Sequence, residues 1–319
     1  MGRIKTSRKT RESLGFILPG LFFLLAIDLF PLLYSLGISL YSWWLARPRD
    51  IRFIGLDNYQ ALLTDPAFYR ATVNSLVFML GAVPLEFLAG LGMALLFSGR
   101  LAGAQVLKTL ILLPLFITPV VSSMMWRLIL HPDLGVLNYY LTLFGLGRPL
   151  WLGTPGLAMA SVILLDAWRT IPFMFLVMHA GMEALPREPY EAAAVDGATP
   201  FQAFWYITLP LLKYIMLLTV LIRLMDAFRE FDSIFVLTGG GPGTATETIQ
   251  LLNYRVFGLG HMGLANALSI HGAGQRAVHP DVVLCGGHVL RPHAAHGEAV
   301  VVGAGRRGTG PRENAGGHP

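Results

Sequence analysis

Long apolar stretches separated by short polar breaks dominate this chain. Five of them, 14–34, 71–97, 106–130, 157–182 and 211–237, reach the ~20 mostly apolar residues that a helix needs to cross a bilayer. Strands of a membrane barrel need only ~10 residues and alternate in polarity. The pattern therefore predicts an all-α integral membrane protein, a polytopic bundle with five spans. Pro19, Pro31, Pro84, Pro114, Pro119 and Pro172 fall inside the apolar stretches. Neighbouring helices can satisfy the backbone groups that proline frees, so kinked spans are expected. Composition agrees: 54% of the residues are hydrophobic and 13% charged, against about 25% charged in a soluble domain.

Charge adds an orientation. Arg3, Lys5, Arg8, Lys9 and Arg11 crowd into residues 1–13 ahead of the first span, which predicts a cytoplasmic amino terminus. The next loop is less decisive, since Arg47, Arg49, Arg52 and Arg70 are partly offset by Asp50, Asp57 and Asp65. The first apolar stretch outruns a signal peptide's core, and no small-residue cleavage site follows it. Alternation then places the polar excursion between the fourth and fifth spans in the cytoplasm.

That excursion, 186–210, contains EAAAVDGATPFQAFWYITLP from Glu191 to Pro210. Glu191 to Val195 favours a helix with acidic residues at its positive end. Gly197 lets the backbone turn. Pro200 suits the first turn of a second short helix, 201–207, with Phe201, Phe204 and Trp205 largely on one side. A compact helix-turn-helix with an apolar face follows. An ordinary amphipathic interfacial loop is the plainer reading.

The spacing of Glu191, Ala192, Ala193, Gly197, Ile207, Leu209 and Pro210 resembles the coupling loop of bacterial ABC importer permeases. Residues 53–78, FIGLDNYQALLTDPAFYRATVNSLVF, and 231–257, FDSIFVLTGGGPGTATETIQLLNYRVF, look like segments of the sugar and glycerol-phosphate branch, to which the maltose transporter belongs. The match runs over 14–270. It implies a permease subunit of an ATP-driven importer in the bacterial inner membrane, moving a sugar, polyol or glycerol-phosphate-like solute. The implied partners are a second permease, two ATPase subunits that bind ATP and Mg, an extracytoplasmic solute-binding protein and membrane lipid. No nucleic-acid partner is expected.

The chain itself carries no recognisable chemistry. Gly239 to Gly243 forms no phosphate-binding loop, since G-x-x-x-x-G-K-[ST] is absent. H-E-x-x-H, G-x-S-x-G and paired cysteines are absent too. No catalytic residue, metal site or cofactor is expected here.

Ionisable groups inside spans are costly and tend to face the bundle interior or a wet cavity. The fifth span holds Arg223, Asp226, Arg229 and Glu230; the last three stand at i, i+3 and i+4 and are expected to share one face. Resemblance makes this stretch part of the solute pathway. The fourth span adds Asp166 and Arg169, and the second Glu86 alone. Intramembrane ion pairs that fix packing are an equally open reading. An ion-coupled secondary transporter with a proton or cation site at Asp226 or Glu230 is the competing function. His131 and His179 read as polar anchors near span ends, and most of the six tryptophans as belt residues.

After Ile270 the character changes. Residues 271–319 hold six of the nine histidines, eleven of the thirty-five glycines and Cys285. Yet GLANALSI, Gly263 to Ile270, looks like the opening of a sixth helix. One permitted set of codons for HGAGQRAVHP, shifted by one base, reads TALASVLFTL, an apolar continuation. A frame change, a natural disordered tail and a His-rich metal tract all remain open. A five-span product is expected to leave 263–270 stranded.

Overall fold

The computed structural model describes residues 8–99 and 103–272. In chain order, α1 (Arg8–Ser39) leads through a two-stranded antiparallel hairpin, β1 (Tyr41–Ser42) and β2 (Arg52–Phe53), to α2 (Asp57–Thr64) and α3 (Pro66–Phe97). Next come α4 (Ala104–Leu112), a 3-10 turn (Leu113–Phe116), α5 (Pro119–Ile129), α6 (Val136–Leu143) and α7 (Pro155–Glu183). Then follow α8 (Glu188–Val195), α9 (Pro200–Ala203), a π segment (Phe204–Thr208), α10 (Leu209–Phe228), α11 (Asp232–Leu237), α12 (Ile249–Gly258) and α13 (Met262–Gly272).

Among the described residues, four stretches are long and apolar enough to cross a membrane: Ile17–Ser39, Pro66–Phe97, Pro155–Glu183 and Pro200–Phe228. The fifth expected span, 106–130, is broken, because Ala104–Phe116 and Pro119–Ile129 meet at 99°. The break has a local cause. Pro119 lacks an amide donor and disfavours helix in the residue before it; Thr118 (ψ 147) and Ile117 (ψ 129) are both extended.

The last span also differs from expectation. It begins at Pro200, since α9, the π segment and α10 form one continuous rod. It stops at Phe228, and Arg229 to Phe231 separate it from α11, so 229–237 does not belong to the span.

The core sits where α3, α7 and α10 meet. Phe78, Val83, Val162, Leu165, Met174 and Ala227 are buried there together. Gly90 permits the close approach of α3 and α7: a Cβ at that position would stand 2.5 Å from the Met174 Cβ and 2.9 Å from the Phe175 amide nitrogen. Burial inside the chain reaches 56% of the most apolar window of α7 but only 6% of that of α1. The central helix is walled by protein, and α1 presents its apolar surface outward.

Residues 263–270 are not stranded. Ala267 and Leu268, on α13, are fully buried with Leu62, Phe68, Ala71, Ile249 and Leu252. The amide nitrogens of Met262 and Leu45 donate to the carbonyls of Trp43 (2.9 Å) and Gly260 (2.9 Å), tying α13 to the hairpin. Trp44 stacks on His261 with centroids 5.5 Å apart. The readings of the tail from 273 onward fall outside the described residues.

Candidate functional site: the α8–α10 loop and the charged centre of the bundle

The loop after α7 is built by paired end signals. Glu188 and Glu191 occupy the first turn of α8, where carboxylates favour the helix dipole. Gly197, at φ +73, closes the helix. Its amide donates to the Ala194 carbonyl (3.2 Å), and that of Ala198 donates to the Ala193 carbonyl (2.9 Å). These are the two hydrogen bonds of a Schellman stop, which favours glycine at this position. Two residues later Thr199 starts α9 with a capping box: the Thr199 amide donates to Gln202 Oε1 (2.7 Å), and the Gln202 amide donates to Thr199 Oγ1 (3.3 Å).

The second helix of the loop is not separate, as the sequence suggested. It runs through the π segment into α10, so Ile207 lies in the π segment while Leu209 and Pro210 open α10. Tyr190 and Thr208 hydroxyls meet at 2.9 Å, clasping α8 to this rod. Val195, Phe201, Trp205 and Tyr206 are exposed, and Phe201 stacks on Trp205 at 6.3 Å. Glu191 and Ala192 are exposed and Ala193 partly so. A rigid polar-and-aromatic knob thus projects from the end of the bundle.

The second cluster lies inside the bundle. Arg223 on α10 grips Glu86 on α3 with two hydrogen bonds, Nε to Oε2 (2.6 Å) and Nη2 to Oε1 (3.0 Å). Its Nη2 also donates to Asp166 Oδ2 on α7. Arg169, one turn along α7, donates from Nη2 to Asp166 Oδ1 (3.0 Å) and to Glu230 Oε2 (3.0 Å). Glu230 in turn accepts the Ser233 amide at 3.2 Å. Glu86 and Asp166 are completely buried. Five charges from α3, α7, α10 and the α10–α11 break form one chain.

This arrangement corrects two expectations. Asp226, Arg229 and Glu230 do not share a face, because α10 ends at Phe228 and the backbone turns. Asp226 and Arg229 pair with each other at 2.7 Å on an exposed surface, whereas Glu230 turns inward to Arg169. Glu86 is not alone, and it belongs with Arg223 to the network. Sequence reasoning left both outside its candidate set because i, i+3 spacing finds partners on one helix only. The usable signal was charge balance, since a lone mid-span carboxylate on one helix and an extra arginine on another each require an opposite charge. His179 is likewise no simple anchor: it is buried, stacks on Phe175 at 5.5 Å and contacts Lys108 on α4. Trp126 and Trp168, partly buried, pack against the core.

Residues 86–271 match the sequence profile of the family described as binding-protein-dependent transport system inner membrane component. The chain belongs to this family. It is 40% identical over 235 residues to the trehalose/maltose transport system permease protein MalF of Thermococcus litoralis, covering 72% of this chain and 80% of that one. It is 34% identical over 267 residues to the trehalose transport system permease protein SugA of Mycobacterium tuberculosis, covering 83% and 85%. Among solved structures it is similar to a bacterial alginate ABC transporter in complex with an alginate pentasaccharide-bound periplasmic protein. That likeness has a TM-score of 0.71 at 25% identity, over 84% of this chain and 90% of that one. The protein is thus a non-catalytic membrane permease subunit of an ABC importer. Family membership sets aside the ion-coupled secondary transporter.

Proposed function

We propose that this permease carries a sugar or a related polyol or glycerol-phosphate solute, and that it is driven through the 191–210 loop by a separate ATPase. The trehalose, maltose and alginate systems among its relatives support the solute class. The assembly would comprise a second permease, two ATPase subunits holding ATP and Mg, and an extracytoplasmic binding protein. The basic residues before the first span support a cytoplasmic amino terminus, with the loop on the same side. The permease domain would be 14–270, and 271–319 the product of a changed frame.

The observation that carries the coupling assignment is the build of the knob. Glu191, Ala192 and Ala193 sit on a helix that Gly197 closes, and Ile207, Leu209 and Pro210 lie on a rod that continues without a break to Phe228. ATPase closure on the knob would push that rod lengthwise, and Arg223 would pass the movement to α3 and α7. Such rigid-body switching between inward-open and outward-open states is a recognised repertoire.

The charged candidates divide into two roles on this reading. Asp166, Arg169 and Glu230 serve chiefly to hold helices together, since each is ion-paired to a residue of another element. Asp226, near the end of the span, and Arg229, just past it, pair with each other and keep exposed polar atoms, so they are the better solute contacts. The test is reconstitution with the partner subunits: Glu191→Lys should abolish uptake and release the ATPase while leaving the permease inserted. A variant that co-purified with its ATPase and transported normally would remove the coupling assignment.

A further inference from the structure

The short helix α6, between the broken third span and α7, has no role in the coupling loop or the charged centre. Its residues Val136, Tyr139, Tyr140, Leu143 and Phe144 fall at i, i+3, i+4, i+7 and i+8, and all five are 54–79% exposed. That spacing gathers them on one helical face. The opposite face is fixed. Asn138, 2% exposed, donates from its side-chain amide to the carbonyls of Pro132 (3.0 Å) and Pro149 (3.2 Å) and accepts from Trp151 Nε1 (2.8 Å). The angle at which α6 leaves α5 is fixed as well, because His131 Nδ1 accepts the amides of Asp133 (3.3 Å) and Leu134 (3.2 Å). The stripe therefore faces outward by construction.

We propose that α6 lies in the bilayer surface at the end of the bundle opposite the coupling loop, its stripe buried among phospholipid chains. Three observations select lipid as the occupant. First, both flanks are tied to membrane helices: residues 130–135 link α6 to the broken span and 144–154 link it to α7, and the hydrogen bonds of His131 and Asn138 hold α6 against both links. Second, the stripe mixes two tyrosines with aliphatic and phenyl side chains and contains no charge, the composition of an interfacial helix. Third, Arg148 donates from Nε to Thr142 Oγ1 (3.3 Å) and has no ion-pair partner among the described residues, so its remaining guanidinium donors are available to a lipid phosphate. A partner that docks only during transport would leave this surface in water for the rest of the cycle, whereas lipid is always present at that depth.

The test uses the assembled transporter in phosphatidylethanolamine–phosphatidylglycerol vesicles. Spin labels go on Leu143→Cys and, separately, Tyr140→Cys in a Cys285→Ser background, with Asp133→Cys as the water-facing control. Collision with dissolved oxygen should exceed collision with a water-soluble nickel chelate at 143 and 140, and the order should reverse at 133. A chelate-dominated signal at both stripe positions would overturn the proposal. So would shielding from both reagents, which marks the second permease as occupant, or protection that appears only after binding protein is added.

Discussion

Two arginines, Arg223 on α10 and Arg229 just past its end, meet opposite fates. Arg223 is 2% exposed and bonded to two carboxylates from two other helices. Arg229, at the end of the same helix, is 43% exposed and paired only with its neighbour Asp226. The chemistry is the same and the surroundings differ. A charge without access to water must be neutralised within the protein, so Arg223 is committed to structure, and removing one member of such a pair costs about 3–5 kcal/mol. An exposed pair is worth roughly 0–1 kcal/mol, which leaves Asp226 and Arg229 free to exchange partners. Commitment at one point and freedom at the other is what a moving helix needs if it is to hold its bundle and also meet a solute.

The largest effect expected is for Arg223→Met, which strands Glu86 and leaves Asp166 with Arg169 alone. Thermal unfolding of the detergent-solubilised protein should show a loss of about 3–5 kcal/mol or failure to fold. Adding Glu86→Gln and Asp166→Asn should restore much of it. An Arg223→Met protein as stable as the parent would erase the contrast between the two arginines.

Next in size, Gly90→Ala should cost about 1–3 kcal/mol by overpacking. Gly90 is one turn from Glu86 on α3, so this substitution asks whether helix approach sets the geometry of the network. Unchanged melting would mean that α3 and α7 tolerate separation there.

A smaller loss, roughly 1–2 kcal/mol, is expected for Gly197→Asp at its left-handed position. Here function should fall further than stability. ATPase should no longer co-purify although the permease remains in the membrane, which sharpens the contrast by placing a third kind of site at the other end of the same rod. Retained ATPase with full uptake would contradict it.

The turn between Glu191 and Pro210 was legible in the sequence because its determinants are local. Gly197 turns the backbone after one helix and Pro200 opens the next, all within twenty residues. The spans were legible for a similar reason, since length and apolarity suffice. What escaped depends on distance in sequence. Arg223 finds Glu86 across 137 positions, and nothing in either helix's own periodicity points to the other. The break after Phe228 escaped because an apolar run, Ile234 to Leu237, resumes beyond the charged residues Arg229, Glu230 and Asp232, so the span was drawn on through it. The broken third span lay between these cases: Pro119 announced a kink, but the 99° turn also needed Ile117 and Thr118 both to be extended. The packing of α13 was hidden because an apolar segment shorter than a span reads as stranded until its neighbours are known.

The most direct measurement pairs uptake with melting in one preparation of the reconstituted transporter carrying Asp226→Asn. The account predicts solute uptake and solute-stimulated ATP hydrolysis strongly reduced, with the ATPase still bound and stability within about 1 kcal/mol of the parent. Normal uptake, or a loss of stability as large as that of Arg223→Met, would contradict it.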